Sequence, residues 1–93
     1  SSPAFVFLFI EALADGAVAE GMTRKQAYEF ASQAVLGSAK MVLETGIHPG
    51  ALKDMVCSPA GTTIEGVNVL EKEGMRSAVM DAVRACIAKT KKL

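Results

Sequence analysis

The chain alternates apolar runs of helical period with short polar breaks, and the breaks carry the chemistry of helix ends. From Pro3 to Glu20 apolar residues dominate, and Phe5-Val6-Phe7-Leu8-Phe9-Ile10 leaves no polar face in the first half. Pro3 fits the first turn of a helix, where its missing N–H costs nothing, and Gly21 ends that helix. A helix apolar all round must be covered all round. Thr23-Arg24-Lys25-Gln26 then reads as a capping box, with Thr23 as cap and Gln26 reaching back. The helix it opens runs to about Leu43, with Ala27, Phe30, Ala31, Ala34, Val35, Ser38 and Val42 as its buried stripe. Ala34, Gly37 and Ser38 are small enough to let another helix approach closely. Gly46 supplies the left-handed stop.

His48-Pro49-Gly50 opens a short third helix, with Leu52, Met55 and Val56 on one side. The Ser58-Pro59 step closes it, because a residue before proline avoids the helical region. A fourth helix starts at Thr62, carries Ile64, Val67 and Leu70, and stops at Gly74. The last covers about 76–91, with Val79, Ala82, Val83 and Cys86 inward. No segment alternates with period two, so the fold class is all-α, with five helices and no β-sheet.

Composition sharpens the picture. Counting glycine as apolar and tyrosine as polar, 54 of 93 residues are apolar, above the roughly 45–50% usual for a soluble domain. A domain this small buries only about two-thirds of its unfolded surface. The excess points to burial against a second chain; the plainer alternative is a tight, alanine-rich monomer. Ten acids balance ten bases, so the basic stripe of a nucleic-acid binder is missing. Lys89, Lys91 and Lys92 at the end suit the negative pole of a helix.

No basic segment precedes the apolar start, so a secretory signal is not expected. The Pro3–Ile10 run falls far short of the roughly 20 residues of a membrane span, and Glu11 and Asp15 interrupt it. Cys57 and Cys86 lack metal-spaced partners and read as reduced thiols of a cytoplasmic protein.

Catalytic inventory is thin. No G-x-G-x-x-G follows a strand, which excludes dinucleotide binding of the Rossmann kind. His48 is the only histidine and, beside a proline at a helix start, reads as a cap or surface residue. Glu11 and Asp15 share a helix face but read as a solvated edge. Neither a metal set nor a catalytic triad can be assembled.

One stretch stands apart: CSPAGTTIEGVNVL, residues 57–70. A helix start has free N–H groups and a partial positive charge, and so holds anions. Gly61 allows close approach of the backbone, Thr62 and Thr63 add amides and hydroxyls, and Ser58 adds a hydroxyl across the turn. That set suits a small carboxylate. The simpler reading, in which Thr62 or Thr63 is only the N-cap and Ser58-Pro59 only a turn, has the advantage on spacing alone.

The segment PGALKDMVCSPAGTTIEGVNVLE, residues 49–71, resembles the signature of the pyrroline-5-carboxylate reductases. SPAFVFLFIEALADGAV and AVLGSAKMVLETGIHPGALKD are similar to the same family's carboxyl-terminal domain, so the resemblance covers the whole chain. It implies an all-helical dimerisation and substrate-carboxylate domain over 1–93, with an amino-terminal Rossmann domain outside this chain. The family reduces Δ1-pyrroline-5-carboxylate to L-proline with NADPH or NADH, in proline biosynthesis. Its helical domains interlock as homodimers, which in many members build decamers.

Carried over by position, the resemblance makes Ser58, Gly61, Thr62 and Thr63 substrate-binding residues. It makes Thr63 the catalytic one, near the ring nitrogen, where it would supply or relay a proton. It also implies that this chain alone binds no cofactor and is inactive. Two departures stand out. Ala60 replaces the first glycine of the family's loop and would alter substrate geometry slightly, and Ser2 replaces a glycine before the first helix's proline. The alternative reading is an autonomous helical homodimerisation module without a ligand, and neither reading calls for a membrane or nucleic acid.

Overall fold

The computed structural model describes residues 1–92. Among them are five α-helices and no strand: α1 Ser2–Ala19, α2 Arg24–Thr45, α3 Pro49–Val56, α4 Thr62–Lys72 and α5 Met75–Lys92. The chain divides into two compact units, Ser1–Ile47 and a second from His48 onward.

The first unit is a hairpin of α1 and α2. Past the end of α1, the Gly21 N–H donates to the Val18 carbonyl and the Met22 N–H to that of Ala17, both at 3.0 Å. This is a Schellman motif, and it requires the left-handed φ of 112° that Gly21 adopts. At the start of α2, Thr23 Oγ1 accepts the Gln26 N–H at 3.3 Å. The expected capping box is half present: Gln26 reaches back to the Thr23 hydroxyl at 3.1 Å, not to its backbone. Gly46, at φ 68°, ends α2 as expected.

Between the two helices lies an alanine seam. Ala14, Ala27 and Ala31 are the buried residues, and Ile10, Ala17 and Val18 pack against them. Methyl side chains let the backbones approach, but they also leave little apolar mass enclosed. An ion pair from Arg24 to Asp15 bridges the helices, and the Arg24 guanidinium lies 5.7 Å from the centre of the Tyr28 ring. That bond to Asp15 raises the pKa of Arg24 above its ordinary value.

The expected α2 stripe needs correction. Ala27 and Ala31 are buried and Val35 and Val42 half-buried, but Phe30, Ala34 and Ser38 are exposed, Phe30 by 64%. A Cβ on Gly37 would meet nothing within 4 Å, so within this unit nothing packs on that small-residue face. The alanine seam sets which face of α2 turns inward, and it carries Phe30 outward.

The membrane expectation also shifts. The apolar run stops at Ile10, but alanines and Val18 maintain the average beyond it. Over its 18 residues α1 has a mean hydropathy of 1.6, long and apolar enough by length and composition to cross a membrane.

In the second unit no described residue is buried outright. Ile64 and Val67 on α4, and Ala82 and Cys86 on α5, are half-buried. Leu70, Val79 and Val83, expected inside, are exposed by 44%, 47% and 43%, and Met55 and Val56 of α3 by 75% and 65%. What holds the unit is local. Gly74 turns at φ 78°, Ser77 Oγ donates to its carbonyl at 3.1 Å, and Arg76 Nε pairs with Glu71 across the turn at 2.8 Å.

Candidate functional site

The residues singled out in the sequence lie together at the junction of α3 and α4. Helix α3 ends when the Cys57 N–H donates to the Lys53 carbonyl at 3.0 Å. Ser58-Pro59-Ala60-Gly61 then reverses the chain, closed by the Gly61 N–H donating to the Ser58 carbonyl at 3.1 Å. Proline second and a left-handed residue third is the pattern of a type II turn. The third residue here is Ala60 at φ 57°, the one non-glycine with positive φ among the described residues. The turn keeps the backbone path a glycine would take, and alanine bears a strain of about 1–2 kcal/mol.

The turn delivers Gly61 as the N-cap of α4, in extended conformation and without any side-chain cap. The simpler reading of the threonines is thereby overturned. Thr62 and Thr63 are the first two helical residues, exposed, and their hydroxyls make no hydrogen bond among the described residues. Their amides and that of Ile64 precede the first intrahelical acceptor, so donors stand free at the positive pole of the helix.

Ser58 comes back over this point. A Cβ on Gly61 would lie 2.5 Å from Ser58 Oγ and 3.3 Å from the Ser58 carbonyl oxygen. A larger residue at 61 would therefore displace the Ser58 hydroxyl. The four residues Ser58, Gly61, Thr62 and Thr63 thus form one exposed edge carrying three hydroxyls and the free amide donors of the helix start. Such an edge can accept a carboxylate in two-point contact and leave one hydroxyl for a neighbouring atom.

His48 sits at the other end of α3. Its Nδ1 accepts the Gly50 N–H at 2.9 Å, so it is a cap, as the sequence indicated. Cys57 and Cys86 are both free and half-buried. Within the first unit, Ala4, Phe7, Leu8, Ile10, Glu11, Tyr28 and Ser32 line an open apolar groove of about 620 Å³. The sequence reading placed no site there.

The fold and this edge define a class: an all-helical domain with many large apolar side chains exposed and an α4 start without a side-chain cap. The sequence profile for pyrroline-5-carboxylate reductase dimerisation matches residues 1–93. The chain belongs to that family. It is 70% identical, over all 93 residues, to the pyrroline-5-carboxylate reductase of Escherichia coli (strain K12), spanning 35% of that relative's length. Among solved structures, the 1-pyrroline-5-carboxylate reductase of Streptococcus pyogenes superposes with TM-score 0.96 at 41% identity, over 99% of this chain and 36% of that one. The pyrroline carboxylate reductase of Plasmodium falciparum, solved with NADP bound, gives 0.94 at 38% identity, over 98% of this chain and 35% of that one.

Proposed function

We propose that this chain is the dimerisation and substrate-carboxylate domain of a pyrroline-5-carboxylate reductase. The intact enzyme would reduce Δ1-pyrroline-5-carboxylate to L-proline in the cytoplasm, with NADPH or NADH as cofactor. The observation that carries the site is the α4 start: a glycine N-cap with no capping side chain, two free threonine hydroxyls beside it, and Ser58 Oγ directed over Gly61.

In this reading the amides and hydroxyls of Thr62 and Thr63, with Ser58, hold the substrate carboxylate against the helix dipole. Holding the carboxylate fixes the ring, and fixing the ring sets which face of the C=N bond is presented for reduction. Positioning of this kind can contribute several kcal/mol to a reaction between two bound groups. Reduction adds a hydride to the ring carbon and a proton to the nitrogen. In this reading Thr63, which matches the family threonine near the ring nitrogen, supplies or relays that proton.

The hydride source is assigned to a Rossmann domain outside this chain, and the 93 residues alone are expected to be inactive.

The exposed apolar side chains of α1 and α2, Phe7, Leu8, Phe30, Leu36 and Leu43 among them, support a homodimer. A second copy is favoured over lipid as the cover of α1, because Glu11 and Asp15 put two acids in its second half and Asp15 pairs with Arg24 on α2. For the intact enzyme the reading extends to the family's decamer.

The test of the site is a titration of L-proline into the isotope-labelled chain, with D-proline as control, following the amides of Gly61, Thr62 and Thr63. Saturable, L-selective shifts confined to those amides are expected, with an affinity near millimolar, about −4 kcal/mol. No shift at high millimolar proline, in a chain shown to be dimeric, would overturn the site and leave a dimerisation module without a ligand.

A further inference from the structure

The α3 cap has a property that the functional reading neither uses nor needs. Helix α3 has eight residues, Pro49–Val56, and begins with proline, which has no N–H. The first amide needing a partner is that of Gly50, and it donates to His48 Nδ1 at 2.9 Å. The imidazole is seated closely: a Cβ on Gly50 would meet Nδ1 at 3.0 Å and Cε1 at 3.1 Å. Only a nitrogen without a proton can accept that bond. A protonated ring would turn an N–H toward another N–H, and would place a cation at the positive pole of the helix.

The geometry points to His48 as a pH-sensitive latch on α3, closed while the imidazole is neutral and released when it is protonated. Few other interactions hold this helix. Its charged residues, Lys53 and Asp54, pair with each other at 3.1 Å. On α4 and α5, Glu71 pairs with Arg76 and Asp81 with Arg84. Glu65, Lys72, Glu73, Lys89 and Lys91 make no bond to the ring among the described residues. Leu52 and Lys53 are half-buried but Met55 and Val56 are exposed, so packing within this unit holds only one face of α3.

The sign follows from the bond. The cap stabilises the folded helix only while Nδ1 carries no proton and can accept the Gly50 N–H, so its contribution is lost on acidification. Because α3 runs directly into the Cys57–Gly61 turn, release of its start loosens the segment that presents Ser58.

Hydrogen-exchange protection factors of the α3 amides from Ala51 to Val56, measured on the full chain at about pH 7.5 and about pH 5, test this. In the wild type, protection is expected to fall about fivefold on acidification, the change a typical N-cap controls. The Gly50 amide signal is expected to move in step. In His48→Asn, whose side chain caps without titrating in this range, protection should be equal at both pH values. An equal fall in His48→Asn, or a flat wild type, would overturn the latch.

Discussion

The two units solve the same problem differently. In the first, two long helices are joined by a Schellman turn, bridged by Arg24 and Asp15, and packed along a seam of three buried alanines. In the second, two short helices and the 18-residue α5 are held by caps, tight turns and ion pairs between neighbours in sequence, and no described side chain is buried outright. The first unit has a tertiary contact of its own, though a slender one. The second has local structure awaiting a cover. Local bonds fix where helices begin and end, but each adds only about 0.5–1.5 kcal/mol net. Burial of large apolar side chains, at about 1.5–3 kcal/mol each, has to come largely from association.

Charging the exposed apolar face of the first unit should therefore have the largest effect. Phe7 and Leu8 of α1 are exposed by 69% and 64%. Replacing both, as Phe7→Glu with Leu8→Glu, is expected to cost several kcal/mol of assembly. Sedimentation velocity should show loss of the dimer, and far-UV circular dichroism a loss of helix in both units. Retention of a tight dimer would mean that α1 is not part of the contact.

Next in size is the seam itself. Ala14 is fully buried, so Ala14→Leu should overpack the helix pair by about 1–3 kcal/mol. Denaturant unfolding of the variant would show this as a lower midpoint. Protection of α4 and α5 amides should fall less than that of α1 and α2, if the two units differ as described.

Helix ends were legible in the sequence and burial was not. The Thr23 cap, the Gly46 stop, the His48-Pro49 start and the Ser58-Pro59 break depend on chemistry within a few residues, and each appears in the structure. Phe30 was expected on the same stripe as Ala27 and Ala31, yet it faces out. Helical period names a face but not its neighbour, and here the alanines took the place a larger side chain would be expected to fill. For the α3–α4 edge, spacing alone favoured a threonine cap; the resemblance to the family pointed to a carboxylate loop. Neither the Gly61 cap nor the closeness of Ser58 Oγ could be read from residue order, because both depend on a left-handed residue at 60.

The site offers a smaller, more local comparison. Gly61→Ala places a methyl group 2.5 Å from Ser58 Oγ, so that the hydroxyl must move away. The helices should persist, since alanine accepts the extended backbone found at 61. The response of the Thr62 and Thr63 amides to L-proline is expected to weaken at least about tenfold, the loss of about 1.4 kcal/mol of contact. An unchanged titration would show that Ser58 and the close approach at Gly61 take no part.

The smallest effect, and the most specific, concerns Ala60. Glycine adopts φ 57° without the strain that alanine bears there, so Ala60→Gly relieves about 1–2 kcal/mol. The same change widens the unfolded ensemble, which costs about 0.4–1 kcal/mol. The two nearly cancel, leaving a gain of roughly 0.5 kcal/mol. Thermal or denaturant unfolding should place the variant at or just above the wild type. A clear loss of stability would mean that the Ala60 methyl group makes a contact worth more than its strain, one absent from the isolated chain and supplied on assembly. That result would move the turn from the locally held category into the assembled one, and would narrow the difference between the two units.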